Sequence, residues 1–318
     1  MSKNAGKTTV LNQIIDEYVN ENIAITSIGL DGEKIDNVTN KPKPRIKVHK
    51  GMLIATAKDC LKECTFDYEF HEQTRISTAL GNIVIIEATS EGLCLLAGPS
   101  TKTAMIKVIK LFKKYNPLNI FIDGALFRKS IAATTVSDAI VLSTGASYNS
   151  DVNIVVKDTK SLVDQLLIKT ANKEVVSIFE EHKNNILIGL KGVVELGSLW
   201  DYDNHSIIEK SIELDTKYLV LKGALTNNII KELIDVRHKI GSLTIVVKDS
   251  THIVCDYNMF HKLIKMDINV EVMKNIELLF VSYNPFSPFG YEFNNNEFKE
   301  KLNKIIDHKL INVLKDSE

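Results

Sequence analysis

Apolar positions in the first half of the chain alternate between helical spacing and short continuous runs. Between residues 10 and 19 they recur every three or four residues, which predicts an amphipathic helix that begins near Thr8. Helices are also predicted over 52–64 and 101–115. Strands are predicted at 23–30, 82–88, 93–97, 119–123 and 139–143, with a strand or hairpin at 66–76. Near-continuous apolar runs of this length are typical of strands buried on both faces of a mainly parallel sheet.

The second half of the chain continues the same alternation. Helices are predicted over 161–182, 227–239 and 295–308. Strands are predicted at 186–190, 218–221 and 243–247. We place a domain boundary near 146–151. The pattern as a whole predicts a three-layer α/β fold with a mainly parallel sheet in residues 1–150. Residues 151–318 are expected to form a second α/β half, which is a candidate region for binding a partner.

Two short strings occur twice in the chain. Gly-Ala-Leu stands at 124–126 and 223–225, and Ile-Val-Val-Lys-Asp stands at 154–158 and 245–249. The two offsets are 99 and 91 residues, so they do not agree. An internal duplication and chance reuse of common strand-ending residues both remain open.

Composition and charge exclude several classes of function. The 39 basic and 40 acidic side chains give a net charge of −1, which argues against a broad nucleic-acid-binding surface. No apolar run approaches the ~18–20 residues that cross a bilayer, and the first residues lack the pattern of a signal peptide. The cysteines are too few and scattered for a disulfide framework or a zinc site, which favours buried thiols and a cytoplasmic location. They are Cys60, Cys64, Cys94 and Cys255.

The most informative segment is 2–9 (SKNAGKTT), which matches the second half of the phosphate-loop motif G-x-x-x-x-G-K-[ST]. Gly6 would let the backbone approach a phosphate, and the start of the following helix would favour a bound anion. Lys7 would reach the β- and γ-phosphates, and Thr8 would offer its hydroxyl to Mg²⁺. The residues predicted to bind the nucleotide here are Asn4, Ala5, Gly6, Lys7, Thr8 and Thr9.

The first glycine of the motif would fall at Met1, and no predicted strand precedes the loop. One explanation is that the first strand lies upstream of Met1, so that residues 1–150 lack it. Another is that the loop has decayed. A third interpretation is a flexible amino terminus that only caps the first helix.

Four further residues complete the predicted nucleotide site. Asp123 ends a predicted strand and is expected to hold Mg²⁺ together with Thr8. Asp31 lies between glycines, which suggests a mobile loop with an acid at its tip, although an ordinary acidic turn would have the same sequence. Ser143 and Gly145 follow another predicted strand and are expected to line the base or ribose.

Three other features are secondary candidates. Glu87 ends a strand that the pattern predicts to be buried. Ser100 is predicted to cap the helix that follows it, or to bind an anion at the same place. The stretch 41–50 holds five Lys or Arg residues and one His, and it is either a solvated loop or a clamp on phosphate or on an acidic partner.

Taken together, these motifs make the first ~150 residues resemble the P-loop NTPases of the dethiobiotin synthetase and MinD-type branch. The segments that carry the resemblance are GKTT (6–9), GLDGE (29–33), DGAL (123–126) and STGA (143–146). With GPS (98–100) between them, they also resemble the smaller subunit of the reactivase for lysine 5,6-aminomutase. No N-K-x-D string is present, so the choice between ATP and GTP stays open.

The resemblance implies Mg²⁺-dependent hydrolysis of ATP, with Lys7 stabilising charge on the phosphoryl group. In related NTPases the position of Asp31 can orient the attacking water or the metal, and we expect Asp31 to orient the water. The resemblance also implies a protein partner, either a cobalamin-dependent aminomutase or a second reactivase subunit, which hydrolysis would remodel. Two alternatives remain open. One is an ATP-dependent small-molecule ligase or kinase, and the other is a non-catalytic scaffold with a decayed loop.

Overall fold

The computed structural model describes residues 4–31, 45–124, 134–197, 199 and 207–313. The chain divides into two compact units. The first comprises residues 1–159 and 279–318, and the second comprises residues 160–278. The predicted division into consecutive halves, 1–150 and 151–318, did not include this return of the chain to the first unit.

Among the described residues, the first unit begins with a helix, which is followed by eight strands before the next α-helix. In chain order its elements are α1 (Lys7–Glu17), β1 (Ile23–Ser27), β2 (Leu30–Asp31), β3 (Ile46–Val48), β4 (Leu53–Ala57), β5 (Tyr68–Thr78), β6 (Gly81–Ala88), β7 (Gly92–Cys94), β8 (Leu96–Ala97), α2 (Lys102–Phe112), β9 (Asn119–Asp123), β10 (Ala139–Gly145) and the first half of α3 (Val152–Leu166), whose second half belongs to the second unit. The predicted helix near Thr8 and the predicted strand at 119–123 are therefore confirmed.

The main sheet of the first unit has the strand order β5-β6-β4-β1-β9. β1 is parallel to both β4 and β9, whereas β6 is antiparallel to β4 and to β5. The α/β fold is thus confirmed. The sheet itself is mixed, because a hairpin of β5 and β6 extends the parallel strands on one side.

Two helices cover opposite faces of this sheet. Leu11 and Ile15 of α1 pack in one buried cluster with Ile25 of β1. Val108 of α2 packs in another cluster with Ala24. Because successive strand residues point to opposite faces, α1 and α2 lie on either side of the sheet.

The helix predicted over 52–64 was wrong. Leu53–Ala57 is strand β4, with all five residues buried, and Lys58–Glu63 is a short 3-10 helix. A short apolar run is compatible with a helix or with a fully buried strand, and sequence spacing alone does not separate them. Here the run lies between β1 and β6, so both of its faces are covered and it is a strand.

The second unit contains its own five-stranded sheet. Its elements after α3 are α4 (Lys173–Glu181), β11 (Asn185–Gly189), β12 (Gly192–Gly197), α5 (Ile207–Ser211), β13 (Tyr218–Val220), β14 (Leu225–Thr226), α6 (Asn227–Asp235), β15 (Leu243–Val247), β16 (Ile253–Val254), α7 (Tyr257–Lys265) and β17 (Ile268–Val272). The sheet order is β12-β11-β13-β15-β17, and β13, β15 and β17 are parallel. β11 runs antiparallel to β12 and β13.

The single helix predicted over 161–182 is two helices, α3 and α4. Between them the backbone pairs with β17, since Ala171 N donates to Val272 O at 2.8 Å and Val272 N donates to Lys169 O at 2.9 Å. The side chain of Asn172 then accepts a hydrogen bond from Val175 N and caps α4. Pairing with a distant strand therefore interrupts the helical pattern.

The chain returns to the first unit through β18 (Glu277–Asn284), α8 (Asn295–Asn303) and β19 (Leu310–Asn312). These strands form a second sheet with the order β10-β18-β19, in which β18 and β19 are parallel. The sequence pattern predicted α8 but neither of the two strands. In the parts of the chain that the structure describes, no helix is long and apolar enough to span a bilayer.

Candidate functional site

The predicted phosphate loop folds as a left-handed turn into α1. Asn4 has φ 61° and Gly6 has φ 89°, and the helix begins at the next residue, Lys7. Within the described residues no side chain caps α1, and its first turn contains no acid. The positive end of the helix is therefore not neutralised by a carboxylate from its own first turn, as an anion site requires.

Gly6 is required at this position for two reasons. A side chain at φ 89° is strained, and a Cβ atom there would lie 3.0 Å from Val313 Cγ1. Gln13 of α1 donates a hydrogen bond to Val313 O at 3.1 Å. Val313 N in turn donates to Tyr283 O at 3.2 Å, which extends the pairing of β18 and β19. The segment that packs against the loop in this structure is therefore Val313, just after the strand Leu310–Asn312, and the sequence pattern did not predict it.

The candidate magnesium ligand Asp123 ends β9 at the carboxyl edge of the main sheet. It is in register with Ser27 of β1, and its carbonyl accepts a hydrogen bond from Ile28 N at 2.8 Å. The ring of Tyr18, just after α1, packs edge-on against Phe121 of β9 at 5.5 Å. Since α1 runs back along the sheet into β1, its first turn lies toward the same carboxyl edge as Asp123.

The protein side chains at this edge suit Mg²⁺ only if the nucleotide supplies further ligands to the ion. Across the described ranges no group of three or more His, Cys, Asp or Glu side chains could hold a metal ion. Mg²⁺ commonly takes one carboxylate, one hydroxyl and several phosphate and water oxygens. Thr8 and Asp123 are the residues of this chain that would supply the hydroxyl and the carboxylate.

Three buried hydroxyl groups lie near the carboxyl ends of β1 and β4, and two of them hold the segment that contains β8. We call Thr26, Ser27 and Thr56 the hydroxyl clasp, and all three are fully buried. Thr56 Oγ1 donates to Leu95 O at 3.2 Å and accepts from Ala97 N at 2.9 Å. Thr26 Oγ1 donates to Ala55 O at 2.9 Å and ties β1 to β4.

Ser27 connects two segments at this edge. Its Oγ donates to Gly29 O at 2.7 Å and accepts from Gly98 N at 3.1 Å. Gly98 N also donates to Gly29 O at 2.9 Å. The hydroxyl clasp was not among the sequence predictions, and its signal in the sequence is the polar pair Thr26-Ser27 at the end of an apolar run, two residues before Gly29.

Asp31 is the second residue of β2, which pairs antiparallel with β8. The partners are Leu30 with Ala97 and Asp31 with Leu96. The backbone that carries the predicted water-orienting acid is therefore joined to the segment that the hydroxyl clasp holds.

Ser143 and Gly145 lie in β10, which belongs to the second sheet of the first unit. The Ser143 side chain is buried, and its Oγ accepts a hydrogen bond from Ser282 Oγ at 2.8 Å. A Cβ atom on Gly145 would lie 2.4 Å from Asn284 O, so the backbone of β18 closes one side of this glycine. Their role in binding the base or ribose stays a prediction, and the Ser143 hydroxyl already has a partner within the protein.

Glu87 does not reach the carboxyl edge. It pairs with Leu53, the first residue of β4, and therefore lies at the amino end of that strand. Its Oε2 lies 3.0 Å from His71 Nε2. The structure thus separates Glu87 from Ser27 and Asp123 by the length of the strand.

Ser100 is not the cap of α2. Thr101 takes that place, because its side chain accepts a hydrogen bond from Ala104 N at 3.3 Å. The prediction was wrong by one residue, since both residues have a hydroxyl and either suits an N-cap.

Part of the basic stretch 41–50 is bound to α1. Lys47 and His49 both pair with Asp16, the latter at 3.1 Å between Nε2 and Oδ1. Burial raises the pKa of Asp16, but the hydrogen bonds from Lys47 and His49 outweigh it and lower that pKa overall. Residues 41–44 lie outside the described residues.

The four cysteines are thiols that form no disulfide, and all but the partly exposed Cys64 are buried. Burial raises the pKa of Cys64 to about 11 and raises that of Cys94 well above its ordinary value. Thiols that stay protonated are poor nucleophiles and poor metal ligands.

Comparison with models of protein families, with curated proteins and with solved structures found no match to this chain.

Proposed function

We propose that this chain is a Mg²⁺-dependent ATPase that uses hydrolysis to remodel a partner enzyme. The observation that carries the proposal is the sequence Gly-Lys-Thr-Thr at the uncapped start of α1, entered through left-handed Asn4 and Gly6. This combination of backbone turn, helix start and lysine is suited to the phosphates of a nucleotide.

Each residue has a defined chemical role in the proposal. Lys7 stabilises negative charge on the β- and γ-phosphates, and the helix start adds backbone N–H donors. Thr8 and Asp123 hold Mg²⁺, which neutralises the phosphate oxygens. Asp31 orients the water that attacks the γ-phosphorus.

The position of β19 supports the link from hydrolysis to remodelling. Val313 packs against Gly6, and its carbonyl accepts the hydrogen bond from Gln13. A change in the loop on loss of the γ-phosphate would therefore act directly on β19 and on β18 beside it. This provides a physical path from the nucleotide to a second sheet on which a partner could act.

The direct test is the ATPase activity of Lys7→Ala compared with the unaltered chain. Removing a charge-stabilising donor commonly lowers kcat by about 10²–10³-fold, and we expect a loss of that size here. Lys50→Ala is the matched control, because Lys50 is exposed and precedes β4 at the opposite edge of the sheet. Equal activity in Lys7→Ala and the unaltered chain would reject the proposal.

The same assay separates the alternatives. It should be run with ATP and GTP, and with and without added carboxylate metabolites. Turnover that requires a metabolite would favour the ligase or kinase. Absence of nucleotide binding would favour the scaffold. The location of Glu87 at the amino end of β4 gives the ligase alternative no support.

A further inference from the structure

We propose that Ser27 is a positioning residue that fixes the segment carrying Asp31 relative to the phosphate loop. The inference deepens the proposed ATPase function and rests on it. Ser27 would act without contacting the nucleotide, by determining where the backbone that carries Asp31 lies.

The geometry around Ser27 is specific. Its hydroxyl is fully buried, donates to Gly29 O at 2.7 Å and accepts from Gly98 N at 3.1 Å. Since Gly98 N also reaches Gly29 O at 2.9 Å, the three groups form a closed triangle. Ser27 therefore satisfies two backbone groups that belong to different loops.

The neighbouring contacts restrict how these loops can move. A Cβ atom on Gly98 would lie 1.8 Å from Ser27 O, so only a glycine allows the two backbones to lie this close together. Thr56 holds the residues just before Gly98 in place. Gly98 is thus fixed, and the Ser27 hydroxyl transfers that constraint to Gly29.

The constraint reaches Asp31 through the backbone. Gly29 leads directly into β2, whose pairing with β8 begins at Leu30 and Ala97. Ser27 itself is in register with Asp123 on β9. Ser27 therefore positions β2 relative to the carboxyl ends of β1 and β9, where the candidate metal ligand Asp123 lies.

Loss of the hydroxyl should affect catalysis more than folding. In Ser27→Ala the strand pairing of β1 remains and Gly98 N keeps its bond to Gly29 O, while Gly29 O loses one of its two donors. A small misplacement of a catalytic group can cost up to about 10²-fold in rate. We expect kcat to fall about 10-fold while KM for ATP stays within about twofold, because the phosphate loop is unchanged.

The test is a double-mutant cycle with Ser27→Ala and Asp31→Asn. If Ser27 acts through Asp31, the double variant should be as slow as Asp31→Asn alone, since interacting residues are non-additive. Ser27→Thr retains the hydroxyl and should recover most of kcat. Thr74→Ala is the control, because it removes a buried hydroxyl from β5 at the far edge of the sheet.

If the losses of kcat in Ser27→Ala and Asp31→Asn were additive in the double variant, the role of Ser27 would be overturned. A higher KM with unchanged kcat in Ser27→Ala would overturn it as well, and either result would leave the ATPase proposal intact. If the unaltered chain has no ATPase activity, the proposed function fails instead. Amide hydrogen exchange then still tests the positioning of the backbone. Ser27→Ala should speed exchange in residues 29–31 and 96–98, and unchanged exchange there would refute it.

Discussion

Asp249 is a buried carboxylate that organises the turn after β15 in the second unit. Its Oδ1 accepts a hydrogen bond from Thr251 N at 3.0 Å and lies 2.9 Å from His252 Nδ1. Burial raises the pKa of Asp249, but the hydrogen bonds from His252 and Thr251 outweigh it and lower that pKa to about 2. Folding therefore favours the ionised carboxylate, because its ordinary pKa of 3.8 is higher.

The lowered pKa predicts a defined dependence of stability on pH. A carboxyl group whose pKa falls on folding stabilises the protein above its unfolded pKa, and this contribution disappears as pH falls from about 4 to about 2. We expect Asp249→Asn to lower the free energy of unfolding by roughly 2 kcal/mol at pH 7. Urea unfolding followed by circular dichroism measures this difference, which should shrink toward pH 2.

Asp235→Asn is the control for that experiment, because Asp235 is exposed at the end of α6. Its unfolding free energy should match that of the unaltered chain across the pH range. If Asp249→Asn lowered the free energy of unfolding by the same amount at every pH down to 2, packing rather than charge would be responsible for the destabilisation.

At the scale of secondary structure, one pentapeptide occurs in two different elements. Ile-Val-Val-Lys-Asp at 154–158 is part of helix α3, whereas the same string at 245–249 completes strand β15 and enters the turn after it. In the strand, the apolar residues pair in parallel with β13 and β17. Their neighbours in space, rather than their own sequence, select the conformation.

The contact between α1 and β19 leads to a prediction at this scale. Gln13→Ala removes the donor to Val313 O, and the loss of one such hydrogen bond should destabilise the protein by about 1 kcal/mol. Thermal unfolding measures the change. Gln73→Ala on the exposed surface of β5 is the control and should have no effect. Equal unfolding midpoints for the two variants would contradict a role for this contact in holding the helix.

At the scale of the whole molecule, the chain leaves its first unit at residue 159 and returns at residue 279. The candidate phosphate loop near one end of the sequence is backed by a strand near the other end. Contacts between residues so far apart in sequence form only when the first unit folds as a whole. Binding at the loop should consequently stabilise the entire unit.

Mg²⁺ and ATP together should therefore raise the unfolding temperature. A ligand that binds only the folded state adds about 2.7 kcal/mol of stability at 100 times its Kd. Removing Mg²⁺ with EDTA should reverse most of the shift, and Lys7→Ala should abolish it. An equal shift in Lys7→Ala would mean that the nucleotide binds elsewhere.

Much of this architecture followed from local pattern. The amphipathic spacing in 10–19 predicted α1, and the apolar run at 119–123 predicted β9 with Asp123 at its end. These predictions succeeded because the period of apolar residues depends on local backbone geometry. The glycine-lysine-threonine string likewise marked the start of α1 as the candidate site.

Tertiary structure decided the rest. Residues 53–57 became a strand because β1 and β6 flank them, and the segment between α3 and α4 left the helix to pair with β17. The bonds from Ser27 to Gly29 and Gly98, and the packing of Val313 behind Gly6, depend on segments brought together by folding. Local periodicity carries no information about which distant segment will supply a neighbour, so these contacts could be known only from the folded chain.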